Sequence, residues 1–359
     1  MNKNKEQGKI RIVIVDDSAF MRKIIADILV ADPDIEIVGK ARDGNEAMDV
    51  IRSLQPDVVT LDIEMPGKSG IEVLGEIMNF KPIPVVMVSS LAKYGADVTL
   101  QALDMGAVDF VTKPSGNIST DMVRIAAELI SKVKAASRAS VRGSTAKRIS
   151  RFQEAAVVQP PISREARLKP ELLVVASSTG GPMALQQVIP ELSRDFPIPV
   201  LIVQHMPPKF TTSLAQRLNE RSNLNVTEAC DEMPIRKGNA IIAPGGYHMI
   251  VEKKGKELVC RLTETPPVRS VRPSADVLFT SVSEVTEGNV IALVLTGMGK
   301  DGLDGVRLLR RKGAYVIAES RETSVIFGMP GAVIEAGLAD EVLPLYSIAE
   351  GLERVVKKK

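Results

Sequence analysis

Apolar and polar positions along the first 120 residues switch repeatedly between two periods. Short β-branched runs predict strands: IRIVIVDD from Ile10, IEIVGKA from Ile35, PDVVTLDIE from Pro56, PVVMVSS from Pro84 and AVDFVTKP from Ala107, each ending in polar residues. Between them AFMRKIIADILV, GNEAMDVIRSL and GIEVLGEIMNF carry the three-to-four spacing of amphipathic helices. Strand and helix in alternation predict a doubly wound parallel sheet with helices on both faces. The pattern resumes near Leu172, where LLVVA, IPVLIVQ, NAIIAP and VIALVLT again read as buried strands running into polar or glycine-rich turns. The fold class expected is therefore α/β, with two doubly wound parallel-sheet domains.

Between the two halves the pattern fails. From Lys132 to Lys169 ten basic residues face only two acids, Glu154 and Glu165, a segment charge of +8 in a chain whose net charge is +2. The segment is rich in Ser, Ala and Pro and too poor in apolar surface to offset its own ordering entropy. It predicts a basic linker over 131–168, most irregular from about 138, between a first domain at 9–130 and a second at 169–356. A docking strip for an acidic partner is the alternative role for so much positive charge.

Composition narrows the function classes. A chain of 359 residues, 45% hydrophobic and 25% charged, has room for two cores. No apolar run approaches the ~18 residues that span a bilayer, and the N-terminus lacks a secretory pattern, so a cytoplasmic protein without membrane insertion is expected. Cys230 and Cys260 form neither a metal spacing nor a disulfide framework. The near-zero net charge asks for no nucleic acid, and a monomer is the default.

In parallel sheets of this kind ligands bind beyond the carboxyl ends of the strands. In the first half those ends carry Asp16 and Asp17, Asp62, Ser89 and Ser90, and Lys113. Carboxylates converging at one sheet edge repel one another unless a hard cation such as Mg²⁺ sits among them. A lysine and a hydroxyl beside them suit a phosphoryl group, with the central Asp62 as acceptor. Each aspartate alone could be a helix cap; the set in register is harder to explain that way.

The motifs IVDDS, TLDIEMPGKSG, MVSS and FVTKP resemble those of response-regulator receiver domains. The resemblance implies phosphorylation at Asp62 and Mg²⁺ held by Asp16, Asp17, Asp62 and the Glu64 carbonyl. It also implies that Ser89 is the switch hydroxyl, that Lys113 contacts the phosphoryl group, and that Phe110 occupies the place of a rotating aromatic.

In the second half the strand ends carry Ser177 and Ser178, His205, the GGYHM stretch with His248, and Asp301. Serine, histidine and aspartate facing one crevice is the arrangement that activates a hydroxyl through an oriented imidazole. The turn SSTGGP could instead cradle a phosphate at a helix start. It lacks the lysine and spacing of a P-loop and matches no G-x-G-x-x-G fingerprint. Because the next strand ends in His205 rather than in a ribose-binding acid, the nucleophile reading is the stronger.

ASSTGGP, VQHMPPKFT, IAPGGYHM, RPSADVLF, LTGMGKDG and FGMPGAV, in this order over about 170–350, resemble the catalytic domain of the chemotaxis protein-glutamate methylesterases. What this implies is Ser178 as nucleophile, His205 as general base and acid, and Asp301 as orienting carboxylate, with no cofactor for the ester chemistry. The family commonly has glycine-alanine before the nucleophile; here Ala176 and Ser177 stand there, which sets a second hydroxyl beside the first. Backbone N–H groups of Thr179, Gly180 and Gly181, with Met298, are the expected oxyanion donors, and His248 is expected to be structural or substrate-facing. The implied substrates are methylated chemotaxis receptors, with receptor glutamines as deamidation targets. The implied phosphodonor is a chemotaxis histidine kinase, and the unphosphorylated receiver is expected to cover the cleft. A DNA-binding regulator and a non-catalytic scaffold are the rival classes. The first lacks a closing helix-turn-helix, and the second is at odds with a complete triad.

Overall fold

The computed structural model describes residues 8–113, 118–139 and 169–357. The chain divides into two units, residues 1–152 and 153–359. In the first, strands β1 Ile10–Val15, β2 Ile35–Ala41, β3 Val58–Asp62, β4 Val85–Ser89 and β5 Asp109–Thr112 alternate with helices α1 Ala19–Val30, α2 Gly44–Leu54, α3 Gly70–Phe80, α4 Lys93–Asp104 and α5 Ile118–Arg138. All four strand pairings are parallel, in the order β2-β1-β3-β4-β5. The order reverses beside β1, so the crevice opens where β1 and β3 end.

Local chemistry starts the helices where the sequence pattern places them. Ser18 accepts the Met21 N–H, Asp43 those of Asn45 and Glu46, and Ser69 forms a reciprocal capping box with Glu72. One boundary differs from the sequence reading. Helix α5 continues to Arg138, through the first eight residues of the expected linker. Leu129, Val133 and Ala136 recur at helical spacing on its buried face. Lys132 is neutralised there, 3.2 Å from Asp109 and 2.8 Å from Glu128, and it donates to the Phe110 carbonyl. The remaining basic stretch, 140–168, lies outside the described residues.

The second unit holds a seven-stranded parallel sheet in the order β15-β14-β13-β6-β7-β10-β8. Its strands are β6 Leu172–Ser177, β7 Val200–Gln204, β8 Asn225–Glu228, β10 Asn239–Ile242, β13 Val290–Val294, β14 Tyr315–Glu319 and β15 Glu341–Leu343. Helices α6 Gly181–Val188, α7 Phe210–Arg221, α8 Ala275–Val285, α9 Leu303–Arg311, α10 Met329–Glu335 and α11 Leu345–Lys357 complete it. Succession along the chain reverses at β6, whose neighbours are β7 and β13. The ends of those three strands are the ones that carry Ser178, His205 and Asp301.

An antiparallel sheet not anticipated from the sequence lies in the same unit, with β11 His248–Lys254, β12 Glu257–Thr263 and β9 Met233–Pro234 in the order β11-β12-β9. Met249, Val251 and Cys260 bury its inner face in one core with Leu278, Phe279 and Val282 of α8. Ser281 accepts the Val251 N–H at 3.0 Å and ties helix to hairpin. Among the described residues no helix is long and apolar enough to cross a membrane.

Candidate active site and acidic cluster

In the first unit the sheet brings the expected acids together. Asp16 and Asp62 are buried and Asp17 exposed, and one carboxylate oxygen from each lies within 4.8 Å of the others. Lys113 Nζ sits 2.7 Å from Asp62 Oδ2 and 3.3 Å from Asp16 Oδ2. Other donors are few. Ser18 N–H donates to Asp16 Oδ1 at 2.9 Å, and Glu64 N–H to Asp62 Oδ1 at 3.3 Å.

Burial raises the Asp62 pKa to about 6, with the Asp16 charge adding to it and Lys113 opposing. Burial also acts to lower Lys113, but the two carboxylates outweigh it and raise that lysine. The Asp16 and Asp62 Oδ2 atoms lack a hydrogen-bond partner of good geometry although both are buried. Three carboxylates sharing one lysine, with two buried oxygens short of well-aligned donors, fit a small oxygen-loving cation such as Mg²⁺.

Ser89 ends β4. Its hydroxyl lies 2.7 Å from Thr99 Oγ1, 3.3 Å from the Gly95 carbonyl and 3.2 Å from that of Ser90. It faces α4 rather than the carboxylates. The Phe110 ring is buried, with Lys132 Nζ 5.0 Å from its centroid.

In the second unit His205 Nε2 stands 2.7 Å from Asp301 Oδ2. An ionised carboxylate only accepts, so Nε2 carries the hydrogen and Nδ1 the lone pair. Asp301 receives three further donors: Ser274 Oγ at 2.7 Å and Asp276 N–H at 3.1 Å on Oδ1, and Ala275 N–H at 2.6 Å on Oδ2. Those are the first amides of α8. Asp301 therefore caps a helix, though not the one that follows it in the chain. Burial works to raise its pKa, but the His205, Ser274 and Ala275 bonds prevail and hold it at about 2.

The adjacent serines divide cleanly. Ser177 is fully buried, and its hydroxyl donates to Gln204 Oε1 at 2.8 Å. Ser178 is half-buried and its hydroxyl makes no hydrogen bond to the imidazole, a bond that often tightens only when substrate is bound. Their backbones are tied nonetheless. Gln204 Nε2 donates to the carbonyls of Ser178 at 2.9 Å and His205 at 3.3 Å, and the His205 N–H reaches Ser177 O at 3.1 Å.

From the other side Thr296 O accepts the Ser178 N–H at 3.0 Å, and Thr296 Oγ1 donates to Thr179 O at 3.0 Å. Two glycines let these groups approach. A Cβ on Gly181 would fall 2.0 Å from Gln204 Oε1, and one on Gly297 would fall 2.8 Å from Ser178 Cβ. Of the four expected oxyanion donors, Gly181 already spends its N–H on Ser178 O at 2.7 Å, closing the turn.

Gln204, Ser274 and Thr296 were missed in the sequence. Gln204 and Thr296 stand at or just past strand ends, which was the available signal. Ser274 precedes an apolar helical run like any N-cap.

His248 is fully buried. Its Nε2 is 3.2 Å from Pro266 O, and its Nδ1 accepts the Ser274 N–H at 3.2 Å.

Comparison with known proteins matches residues 173–352 to the family model of the CheB methylesterases and residues 12–122 to that of response regulator receiver domains. A protein of Symbiobacterium thermophilum, named protein-glutamate methylesterase/protein-glutamine glutaminase, is 48% identical over 98% of this chain and 99% of its own. A Geobacillus kaustophilus protein of the same name is 47% identical over 97% of this chain and 99% of its own. The crystal structure of the Thermotoga maritima CheB methylesterase catalytic domain is similar at 44% identity and a TM-score of 0.51, covering 52% of this chain and 99% of that one.

Proposed function

The chain belongs to the CheB methylesterase family, with a response regulator receiver domain ahead of the esterase domain, and on that premise we propose that it hydrolyses γ-methyl esters of chemotaxis-receptor glutamates through Ser178, His205 and Asp301. The observation that carries this reading is the 2.7 Å contact of His205 Nε2 with Asp301, which leaves Nδ1 outside that bond to act as the base. Nδ1 takes the Ser178 proton as Oγ attacks the ester carbonyl. Asp301 holds the tautomer and balances the imidazolium that forms. The tetrahedral oxyanion is met by backbone N–H groups of the turn, Thr179 and Gly180 first, with Met298 as a further candidate. Such donors contribute about 3–4 kcal/mol apiece in other hydrolases.

Collapse of that intermediate breaks the ester C–O bond, and His205 protonates the departing methanol. Water, deprotonated by the same Nδ1, then cleaves the acyl-serine. With a glutamine side chain the leaving group is ammonia, and the product is the same carboxylate.

The receiver domain regulates this chemistry in the proposed reading. Asp62 Oδ accepts a phosphoryl group from a kinase phosphohistidine. Asp16, Asp17 and Asp62 would hold Mg²⁺, which supplies charge neutralisation for the transfer. Lys113 then pairs with a phosphoryl oxygen, and Ser89 must leave Thr99 to reach another. The unphosphorylated receiver obstructs the cleft, and a ten-fold release requires only about 1.4 kcal/mol of differential stability.

Methanol release from methylated receptor membranes, with and without a small phosphodonor and Mg²⁺, tests both halves. Ser178→Ala should lower turnover by about 10⁴–10⁶-fold. A loss under ten-fold removes Ser178 from its role.

A further inference from the structure

The second histidine carries an inference that rests on the triad reading above. His248 opens β11, and both of its ring nitrogens are used. Pro266 O can only accept, so Nε2 donates to it and Nδ1 is left as the acceptor of the Ser274 N–H. Ser274 stands at the N-cap of α8 in extended conformation, φ −123° and ψ 136°, and its side chain makes no capping bond to its own helix. The hydroxyl points instead to Asp301, whose carboxylate takes over the capping and accepts the next two amides. The start of α8 is thus held from two sides, by His248 on the Ser274 N–H and by Asp301 on everything after it.

We propose that His248 is a positioning residue for the triad: by fixing the Ser274 backbone it aims three consecutive donors at Asp301 and so sets the carboxylate against His205. The fully buried ring reaches the triad through the Ser274 N–H, which it accepts on Nδ1. The task requires a neutral imidazole. Burial lowers the His248 pKa and the nearby Arg272 charge adds to this, against the opposing pull of Pro266 O and Asp301. A solvent-exposed acceptor would let the helix start shift, and misplacement of an orienting group by about 1 Å costs as much as 10²-fold in rate.

The full-length protein tests this with two substitutions that divide the ring between them. His248→Gln places an amide near Nε2 but offers Ser274 no acceptor; His248→Asn places Oδ1 near Nδ1. For Gln the expected result is a kcat about 10- to 100-fold lower with KM within about two-fold. Its acid limb of kcat/KM should also move up, because a carboxylate whose donors are misaligned binds the imidazolium more tightly. Asn should recover most of the kcat and return the limb to its place.

Equal losses in both variants with an unmoved limb, or no loss in either, overturn the proposal. If His248→Gln does not fold, Ser274→Ala must give the same upward movement of the limb; a stationary limb there overturns it equally. Ser178→Ala, assayed alongside, separates the two readings. Turnover that survives it sinks the triad and this inference together, whereas an inactive Ser178→Ala with a stationary limb in His248→Gln sinks only the role of His248.

Discussion

Asp62 ends a strand of one parallel sheet, Asp301 lies in the turn between a strand of the other and its next helix, and both are buried. Their acidities part company, at about 6 and about 2. Burial raises both; the supply of donors decides the outcome. Asp62 has one lysine, one long bond from the Glu64 amide and a second carboxylate for a neighbour. Asp301 has an imidazole, a hydroxyl and the first two amides of a helix. A carboxylate left short of donors suits a visiting cation and phosphoryl group. One saturated with them stays anionic without a metal and can serve as a fixed counter-charge. The same class of sheet thus yields a carboxylate short of donors in one unit and one saturated with them in the other.

The largest expected break of this comparison is Asp301→Asn set against Asp62→Asn. The first should cut methanol release by about 10⁴-fold, because the amide no longer enforces the tautomer. The second should leave basal release in place and abolish its response to phosphodonor. If both variants lose basal turnover alike, the division of labour is wrong.

A smaller effect sharpens the same contrast through pH. The raised Asp62 contributes stability that is present below 3.8 and is lost as pH climbs through about 6. The depressed Asp301 contributes stability that is present above 3.8 and is lost as pH falls toward 2. Each effect is on the order of 2 kcal/mol. Amide hydrogen exchange read separately for the two units should give slopes of opposite sign, the first between pH 4 and 6 and the second below pH 4. Saturating Mg²⁺ should flatten the first slope alone. Slopes of one sign, or Mg²⁺ acting on both units, would refute the donor-count argument.

Smallest of all should be Ser177→Ala. It removes a buried hydroxyl that holds Gln204, with an expected stability loss of about 1–2 kcal/mol and turnover within ten-fold of the parent. Loss of all turnover with the fold intact would reverse the roles of the two serines.

Much of this was legible before any coordinates. Helices α1, α2 and α3 begin and end where the apolar spacing places them, and Ser18, Asp43 and Ser69 fix their starts through amides two or three residues away. The strand-end residues could be found because parallel sheets collect their chemistry at one edge. What stayed hidden depends on partners distant in sequence. Nothing local in Asp301 announces that it caps a helix beginning 26 residues earlier, and Ser274 shows no sign of serving a carboxylate other than its own helix amides. HMIVEKK has three consecutive apolar residues and then three charged ones, without the alternation that marks a half-buried strand, so the hairpin bearing His248 went unseen. Helix α5 ran past its expected end because Asp109 and Glu128 neutralise Lys132, which charge counting alone assigned to a solvated linker.

The split between the neighbouring serines bears on how this protein should be profiled chemically. A fluorophosphonate probe that tags nucleophilic hydroxyls ought to mark one residue of the SST tripeptide and spare the one before it, whose oxygen faces Gln204 in a space closed to any reagent. Fragment-ion sequencing of that single peptide would therefore report the orientation of the strand end without any kinetic assay.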